Sequence, residues 1–353
     1  MNKQIIGWDI GGAHVKAAIL AGNGEVLKVL QAPCPLWKGI AQLALALQPI
    51  LSGLDLVQYR HALTMTGELV DCFTSREQGV QAILQAMQAS LGEAELWIYA
   101  GRCGFLNMEN ISCDHYQAIA SVNWLASAEL AAKHCRTALF VDIGSTTADI
   151  LLIAEHKPQV QGYTDYERLV SGELLYTGVV RTSVMAIAQQ AEFNGRRMGL
   201  MAEHFASMAD VYRLTGDLHP AHDQAETADG AGKTPAASAR RLSRLTGYEF
   251  AETDWRLWLQ FAGYLKQCQK QMVIQACFRQ IERGADQKAL TLVGAGVGRF
   301  LLQEIALEQG WTYRDFTEFF VNSYSGADID AADCAPAVAV AYLVMEREDI
   351  LLK

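Results

Sequence analysis

The sequence lacks three features that would each point to a particular class of protein. Its 29 Lys and Arg are outnumbered by 39 Asp and Glu, for a formal net charge of -10, and no basic run is long enough to follow a phosphate backbone. The most continuous apolar run, residues 335–345, falls well short of the roughly 20 residues that cross a bilayer, and it predicts a buried helix. Its eight cysteines include no Cys-x-x-Cys pair, which argues against a zinc site or a disulfide framework. Neither nucleic acid nor a membrane is therefore expected as a partner.

The amino terminus lacks the uninterrupted apolar stretch of a secretory signal, because Asp9 and two glycines interrupt it. We therefore expect a cytoplasmic protein. With 353 residues, of which 51% are hydrophobic, the chain can bury a large core, and its length favours two domains. The oligomeric state stays open, with a homodimer as one alternative.

Two similar segments organise the sequence. "IIGWDIGGAHVK" (5–16) and "LFVDIGSTTADI" (139–150) each read as an apolar run, an Asp, a Gly-rich turn and a second run. Each predicts the start of an antiparallel meander of three strands. The two copies start roughly 135 positions apart, which indicates duplication of a domain rather than a solenoid repeat. Strands and helices alternate over the rest of the chain, as in the α/β class.

The duplication predicts two lobes. The first comprises residues 1–137 together with 335–353, and the second comprises residues 138–334. Residues 215–238 are polar and rich in Gly and Ala, so we expect a long surface loop there. Amphipathic spacing predicts helices over 39–53, 77–92, 121–135 and 254–283.

The two Asp-Gly turns are suited to a phosphate and a cation. A carboxylate at a strand end, followed by glycines, lies beside bare backbone N–H groups that can approach a phosphate. We expect Asp9 and Asp142 to face each other across a cleft and to hold Mg²⁺ through water, because Mg²⁺ prefers few carboxylates plus phosphate oxygens. Lys16 would add a positive charge, and Asp149 would orient the second turn or hold the metal's waters. The predicted diphosphate-binding residues are Gly11, Gly12, Gly144, Ser145, Thr146, Thr147, Gly294 and Gly296.

These motifs resemble a known superfamily over nearly the whole chain. Two Asp-Gly turns followed by the Gly-x-Gly turn "VGAGVGR" (293–299) are similar to the actin, hexokinase and heat-shock-chaperone (ASKHA) superfamily. More narrowly, "TMTGELVDCFTSREQGV", "NWLASA", "VDIGSTTADI", "SGELLYTGVVRTSV" and "LVGAGVGRFLL" resemble the hydantoinase/oxoprolinase-related proteins of the tetrahydromethanopterin-linked C1 transfer pathway. The resemblance implies a duplicated actin-like (ribonuclease H-like) ATPase fold, with two lobes around a central cleft.

The resemblance also implies an activity on small-molecule substrates. It is that of a transferase in methylofuran biosynthesis, which joins an aminomethylfuran-methyl diphosphate to the phenol of a glutamylated tyramine or tyrosine and releases diphosphate. Superfamily kinases commonly carry a Thr after the first glycines, where Ala13 and His14 stand here; an enzyme that transfers no phosphoryl group needs no such hydroxyl. The alternatives are an ATP-dependent small-molecule kinase or lactam-opening enzyme of the same fold, and a nucleotide-gated scaffold. Whether ATP binds stays open.

This chemistry requires stabilisation of the leaving group and removal of the phenol proton. Lys16, Mg²⁺ and the turn amides would neutralise the departing diphosphate. Glu173 in "SGELLYTG" is the first candidate for the base, although Ser171 before it also suggests a helix cap. Glu68 and Asp71 in "TGELVDCF" are the second candidates.

Other residue types are suited to the substrates. Trp8 and Tyr99 would flank an aromatic or cationic aminomethyl group, although aromatics on strands more often face a core. Arg181 would pair with a substrate carboxylate, or else form a structural salt bridge.

The predicted loop contains a further group of polar residues. His219, His222 and Asp223 suggest a metal site, but their spacing fits no standard one and favours a solvated loop. A basic segment follows, which would either close over a diphosphate or begin a helix with solvated arginines. Its charged members are Asp229, Lys233, Arg240 and Arg241.

Overall fold

The computed structural model describes residues 3–286, 290–321 and 328–351, which contain two six-stranded sheets. The first sheet consists of β1 (Gln4–Ile10), β2 (His14–Leu20), β3 (Val26–Pro33), β4 (Tyr59–Met65), β5 (Glu95–Tyr99) and β6 (Phe105–Asn107). The second consists of β7 (Ala138–Ile143), β8 (Ala148–Ala154), β9 (Lys157–Pro158), β10 (Leu174–Leu175), β13 (Thr291–Ala295) and β14 (Thr312–Asp315). Between β10 and β13 in sequence, β11 (Gln190–Phe193) and β12 (Arg196–Gly199) form a separate hairpin.

The helices surround and separate the sheets. They are α1 (Ala41–Leu51), α2 (Arg76–Leu91), α3 (Cys113–Ile119), α4 (Asn123–His134), α5 (Asp165–Ser171), α6 (Met208–Thr215), α7 (Pro235–Thr246), α8 (Trp255–Ile281), α9 (Arg299–Gln309) and α10 (Ala335–Leu351). Among the residues described, no helix combines the length and the apolar character needed to cross a bilayer.

The two sheets have the same topology around their central strands. In the first, β1 lies between antiparallel β2 and parallel β4, with β3 and β5 outside them. In the second, β7 lies between antiparallel β8 and parallel β13, with β14 next to β13. Each central strand is almost wholly buried because helices or the other lobe cover both of its faces. The predicted duplication and the actin-like α/β architecture are confirmed.

Helices α4 and α10 lie between the two sheets. Helix α10 packs against β1, β2, β4 and α4, while α4 also contacts β7, β8 and β9. The approach of α10 to β1 is very close: a β-carbon added at Gly7 would lie 1.9 Å from the carbonyl oxygen of Ala337. One buried cluster therefore joins the lobes beneath the cleft, and each lobe has a second core on its outer side. The lobe boundaries at 137/138 and 334/335 stay predictions.

The predicted loop at 215–238 ends earlier than expected. Helix α7 begins at Pro235, and the Thr234 hydroxyl accepts a hydrogen bond from the N–H of Ala237 at 3.2 Å, which caps the helix. The loop is also tied to the protein: Arg213 makes hydrogen bonds of 2.6 and 2.7 Å to the two carboxylate oxygens of Asp223. This segment is therefore an irregular surface connection between α6 and α7 that is anchored to the protein through Asp223.

Candidate active site

A cavity of about 430 Å³ lies between the lobes, where the turns after β1 and β7 meet. This volume is within the range of small-molecule sites, about 300–1,000 Å³. Around the first turn and α4, it is lined by Asp9, Gly11, Gly12, Ala13, His14, Lys16, Trp37, Thr66, Leu69, Val70, Asp71, Ser121, Asn123 and Trp124. Around the second turn, it is lined by Asp142, Gly144, Ser145, Thr146, Thr147, Asp149, Asp165, Arg168, Leu174, Tyr176 and Arg181, with Pro336 of α10.

The two Asp-Gly turns have the same backbone geometry. The N–H of Gly11 donates to the carbonyl of His14 at 2.9 Å, and the N–H of Gly144 donates to the carbonyl of Thr147 at 2.9 Å. Each turn thus connects two antiparallel strands and exposes the intervening backbone to the same cavity. The sequence-based expectation that both turns face one cleft agrees with this geometry.

One of the two pairs of equivalent charged positions beside the turns differs in sign, because Lys16 in the first lobe corresponds to Asp149 in the second. Asp9 is paired in register with Lys16 on the neighbouring strand, whereas Asp142 is paired with Asp149. The second lobe therefore supplies two carboxylates and the first supplies one carboxylate and one ammonium group. The cavity wall is polar and charged where the turns meet.

Burial governs the acidity of the two predicted metal ligands. It raises the pKa of Asp9 to about 6, against the opposing effects of Lys16 and a 3.4 Å hydrogen bond from Asn123. Burial, together with the nearby Asp149, raises the pKa of Asp142 to about 7, again opposed by Lys16. Two buried carboxyls close to a single ammonium group favour binding of further positive charge.

Lys16 is fixed at the base of the cleft. Its ammonium group donates to the carbonyl oxygen of Asp333, just before α10, at 2.6 Å. Burial lowers the pKa of Lys16. The electrostatic effects of Cys334, Asp9 and Asp142 together raise it by a larger amount, so that the pKa of Lys16 lies above its ordinary value. Lys16 therefore stays protonated at neutral pH and presents a fixed positive charge to the cavity.

Asp149 is paired with Arg168, a residue that the sequence did not single out. The guanidinium group donates to Asp149 Oδ1 at 2.7 Å and lies 3.9 Å from the centre of the Trp124 ring. Burial raises the pKa of Asp149, and Arg168 lowers it. Because Arg168 is itself buried on α5, this pair forms a rigid wall of the cleft.

Arg181 reaches the cleft because its segment packs against the second turn. A β-carbon at Gly178 would lie 2.4 Å from the carbonyl carbon of Ser145, and the N–H of Arg181 donates to the Ser145 carbonyl at 2.8 Å. The Arg181 guanidinium lies 5.3 Å from the centre of the Trp37 ring. Trp37 and Tyr176 are 43% and 69% exposed, so this cation and two aromatic rings form an accessible rim.

His14 is the first residue of β2, directly after the first glycine turn. Burial, with the positive charges of Lys16 and Arg181, lowers the pKa of His14 to about 4. The imidazole is therefore neutral at pH 7. It lines the cavity beside the first turn without adding a charge.

Glu173 does not lie in the cleft, which corrects the first candidate for the base. Its side chain is fully buried and accepts hydrogen bonds from the N–H groups of Gln161 and Gly162 at 2.8 and 3.0 Å. The Ser171 hydroxyl donates to it at 3.0 Å, and the Arg283 guanidinium lies 3.3 Å away. With both oxygens engaged behind the cavity wall, Glu173 has the contacts of a structural anchor.

Trp8 and Tyr99 are also outside the cleft. Trp8 is fully buried in the first lobe, where its indole N–H donates to Nδ1 of His61 at 3.1 Å. The Tyr99 hydroxyl donates to Glu129 at 2.7 Å, and its ring packs against Phe105. Neither aromatic side chain is placed to contact a ligand in the cavity.

The third glycine turn, "VGAGVGR" (293–299), lies behind the cleft and does not line it. A β-carbon at Gly294 would lie 2.6 Å from the hydroxyl of Tyr313 on the neighbouring strand. At Gly296, whose φ is +81°, a β-carbon would lie 2.2 Å from Asp142 Oδ1. Direct diphosphate contacts from these two glycines are therefore not supported by their positions.

The polar and charged residues of the predicted loop and of the basic segment after it pair with one another or with other protein groups. Nε2 of His222 lies 3.1 Å from a carboxylate oxygen of Asp333. Arg241 is fully buried and makes ion pairs of 2.7 Å with Asp210 and 3.0 Å with Asp229. Arg241 is thus part of the core of the second lobe rather than a lid over the cleft.

Comparison with known proteins identifies the family. The sequence profile described as hydantoinase/oxoprolinase matches residues 60–346. The chain belongs to the hydantoinase/oxoprolinase family. This member of the family is 31% identical over 246 residues to a "(4-{4-[2-(gamma-L-glutamylamino)ethyl]phenoxymethyl}furan-2-yl)methanamine synthase" of Methanocaldococcus jannaschii, covering 69% of this chain and 72% of the relative.

Two further similarities are informative about this family member. The protein of the same name from Methanococcus vannielii is 25% identical over 214 residues, which cover 60% of this chain and 91% of the relative. Among solved structures, nucleotide-free acetone carboxylase superposes with a TM-score of 0.55 at 10% identity, covering 96% of this chain and 70% of that one. At that identity, the structural likeness shows the fold alone.

Proposed function

We propose that the protein is a transferase of methylofuran biosynthesis that forms an aryl–alkyl ether and releases diphosphate. The name of the relative at 31% identity describes a furan joined through a phenoxymethyl ether to a glutamylated phenylethylamine. The substrates would be an aminomethylfuran-methyl diphosphate and the phenol of a glutamylated tyramine or tyrosine. The observation that carries the proposal is that Lys16 and both glycine turns line one cavity.

The charged floor of the cavity is suited to a departing diphosphate. Lys16 would neutralise part of the charge that develops on the leaving group, and the backbone N–H groups of the turns would bind its oxygens. Preorganised donors of this kind typically contribute about 3–4 kcal/mol each to stabilising a transition state. The hydroxyls of Ser145, Thr146 and Thr147 line the same part of the cavity and would add further donors.

The donor set also fits a magnesium ion. Asp9 and Asp142 supply hard oxygen ligands, and burial makes both carboxyls costly to ionise without a nearby cation. Mg²⁺ commonly binds proteins through one or two carboxylates together with substrate phosphate oxygens. When bound, the ion would supply positive charge to the leaving diphosphate. We propose that Asp9 and Asp142 hold it, directly or through water.

The rim of the cavity is suited to the acceptor. The exposed rings of Trp37 and Tyr176 would pack against the aromatic part of a tyramine. Arg181 would pair with a carboxylate of its glutamyl group, because guanidinium binds carboxylates bidentately. The furan oxygen can share positive charge that develops on the adjacent CH₂, so the protein mainly needs to orient the phenol and stabilise the leaving group.

The test combines the purified protein with Mg²⁺, the furan diphosphate and glutamyl-tyramine or glutamyl-tyrosine. We expect one diphosphate per ether, with the product identified by its mass. An acceptor in which the phenol is methylated is the matched control and should give no ether. Product formed only when ATP is added, or phosphorylated substrate without ether, would overturn the proposal in favour of an ATP-dependent enzyme of the same fold.

A further inference from the structure

A buried carboxyl group lies directly behind the cleft wall. Glu68, in the turn after β4, is 1% exposed. The hydroxyl of Ser121 donates a hydrogen bond of 2.5 Å to its Oε1 atom. Ser121 also lines the cavity, whereas Glu68 does not. The Ser121 hydroxyl therefore connects the cavity to the Glu68 carboxylate, which a ligand in the cavity cannot contact.

Glu68 has unused capacity to accept a proton. Within the described part of the chain, its Oε2 atom is buried and has no hydrogen-bond partner. A buried, unpartnered carboxylate oxygen is costly for the fold and is rarely retained without a role. This distinguishes Glu68 from Glu173, whose two oxygens both accept from neighbouring donors.

The backbone holds this pair in an unusual position. Ser121 has a φ of +50°, a left-handed conformation that costs energy for a residue other than glycine. The Trp124 indole N–H fixes it by donating to the Ser121 carbonyl at 2.8 Å. On the other side, a β-carbon at Gly79 would lie 2.4 Å from the Glu68 carbonyl oxygen, so helix α2 also packs tightly against Glu68. Strain of this kind is concentrated at functional sites.

The surroundings of Glu68 favour proton uptake near neutral pH. Burial raises its pKa to about 7, and the hydrogen bond from Ser121 acts in the opposite direction. The charged groups that face it are Arg76 at the start of α2, which lowers the pKa, and Asp165 at the start of α5, which raises it. A base with a pKa near the working pH is well matched to general-base catalysis.

The other candidate bases in the cavity are less suited. Burial raises the pKa of Asp149, but Asp149 Oδ1 is held in an ion pair of 2.7 Å with Arg168, which stabilises the charged form and occupies that oxygen. The pKa of His14 is lowered to about 4, so it is a weak base. Asp71 is exposed to solvent, and no hydrogen bond or ion pair observed among the described residues fixes its side chain.

We propose that Ser121 relays the proton of the acceptor phenol to Glu68. This inference rests on the proposed function. As the phenol oxygen forms its bond to the furan CH₂, the bond from that carbon to diphosphate breaks and its electron pair leaves with the diphosphate. The phenol proton passes to Ser121 Oγ while the Ser121 proton passes to Glu68 Oε1. After the product leaves, the proton passes from Glu68 back through Ser121 to water in the cavity, so that the protein is unchanged after each turnover. Ser121 is the catalytic residue, and Glu68 acts through it.

The experiment compares Ser121→Ala and Glu68→Gln with two matched controls. Ser127→Ala removes another buried hydroxyl, from α4, and Glu129→Gln alters another carboxylate that accepts from a hydroxyl, at Tyr99. Neither control residue lines the cavity. We expect kcat to fall about 10²- to 10⁴-fold in the two test variants, the usual contribution of general-base catalysis, and to change little in folded controls.

Acceptors with acidic phenols provide the decisive readout. Ring-fluorinated tyramine derivatives that are already ionised at the assay pH do not need a base, so both test variants should recover to within about tenfold of the unmodified protein. A purely structural defect would reduce activity equally with every acceptor. Circular dichroism and thermal melting would show whether each variant is folded. If Glu68→Gln does not fold, the comparison of acceptors is made with Ser121→Ala alone.

The outcomes separate this inference from the proposed function. If the unmodified protein forms the ether and both variants retain its activity, or if fluorinated acceptors do not restore it, the relay is wrong and the transferase proposal stands. If the unmodified protein forms no ether with any acceptor, both proposals are wrong.

Discussion

Gly296 lies directly against Asp142, on the side of that residue away from the cleft. A β-carbon at Gly296 would fall 2.2 Å from Asp142 Oδ1 and 2.3 Å from the carbonyl oxygen of Ile143. Its own N–H donates to the carbonyl of Ala332 at 2.8 Å, which fixes the turn. The third glycine turn therefore positions one of the two cleft carboxylates without reaching the cavity itself.

This contact predicts that Gly296→Ala displaces Asp142. We expect loss of ether formation by at least about tenfold, and destabilisation from both the clash and the positive φ, on the order of 1–3 kcal/mol. Gly310→Ala is the matched control, because φ there is +70° and no atom of the residues that the structure describes lies within 4 Å of the added carbon. It should lower the melting temperature while leaving kcat intact. Equal activity in the two variants would contradict a role of Gly296 in holding Asp142.

Removal of the fixed ammonium group should impair the chemical step. We expect Lys16→Met to lower kcat about 10²- to 10³-fold, with a smaller effect on the KM of the acceptor, because Lys16 is proposed to act on the charge of the leaving group. Lys133→Met, at a surface pair with Glu346, is the control. A diphosphate-release assay under saturating substrates measures the difference. A change confined to KM would show that Lys16 binds the substrate without stabilising the transition state.

The raised pKa values of the cleft carboxyls predict a specific dependence of stability on pH. The folded-state pKa is about 6 for Asp9 and about 7 for Asp142, above the value of about 3.9 expected in the unfolded chain. The folded protein therefore holds extra protons, and the resulting stability is present below about pH 4 and lost as the pH rises through about 7. Asp142→Asn removes one such group. Without Mg²⁺, its free energy of unfolding relative to the unmodified protein should increase by about 2 kcal/mol from about pH 5.5 to about pH 8.

Bound Mg²⁺ should offset the loss of folding stability that occurs when Asp9 and Asp142 ionise. We expect Mg²⁺ to raise the melting temperature of the unmodified protein more at about pH 8 than at about pH 6, and to have little effect on Asp142→Asn. Sodium chloride at the same ionic strength is a control for nonspecific salt effects. Equal stabilisation of both proteins by Mg²⁺ would contradict a metal site at Asp142.

Some of this site could be predicted from sequence because its parts are local. An Asp near a strand end followed by glycines makes a turn whatever surrounds it, and the repeat of Asp9 in Asp142 implied two equivalent lobes. Strand alternation could also have excluded Trp8. Since neighbouring side chains on a strand point to opposite faces, an Asp9 that faces the cleft directs Trp8 into the core.

Other features depend on contacts that no local pattern encodes. Arg168 reaches the cleft on α5, and Ser121 reaches it in the turn between α3 and α4. The left-handed conformation of Ser121 has no signature in its neighbours. The hairpin of β11 and β12 is different, because its signal is local. Asn194-Gly195 between alternating residues is a strong hairpin signal, and both residues have positive φ in the turn between the two strands.

The buried position of Glu173 predicts a structural rather than a catalytic effect. Glu173→Gln would replace one carboxylate oxygen with an amide NH₂, which would face the N–H of either Gln161 or Gly162 and leave that buried donor unsatisfied at a cost of about 1–3 kcal/mol. We expect a lower melting temperature but an unchanged kcat for the folded protein. Thermal melting and active-site-normalised kinetics measure the two effects separately. If folded Glu173→Gln instead turned over about a hundredfold more slowly, the loss expected for a missing general base, Glu173 would be restored as the base.

Arg181 should determine the preference for a carboxylate-bearing acceptor. Its guanidinium is accessible at the rim, 5.3 Å from the Trp37 ring centre, and its backbone is tied to the second turn. A charge-assisted pair with the glutamyl carboxylate contributes about 1.5–3 kcal/mol, so Arg181→Met should raise the KM for glutamyl-tyramine about 10- to 100-fold while kcat changes little. With tyramine, which lacks the carboxylate, the variant and the unmodified protein should have similar KM values.

Arg102→Met is the matched control, because Arg102 also lies over an aromatic ring, Tyr163 at 4.2 Å, but does not line the cavity. A KM for tyramine that rises as much as that for glutamyl-tyramine would show that Arg181 supports the aromatic rim rather than recognising the carboxylate.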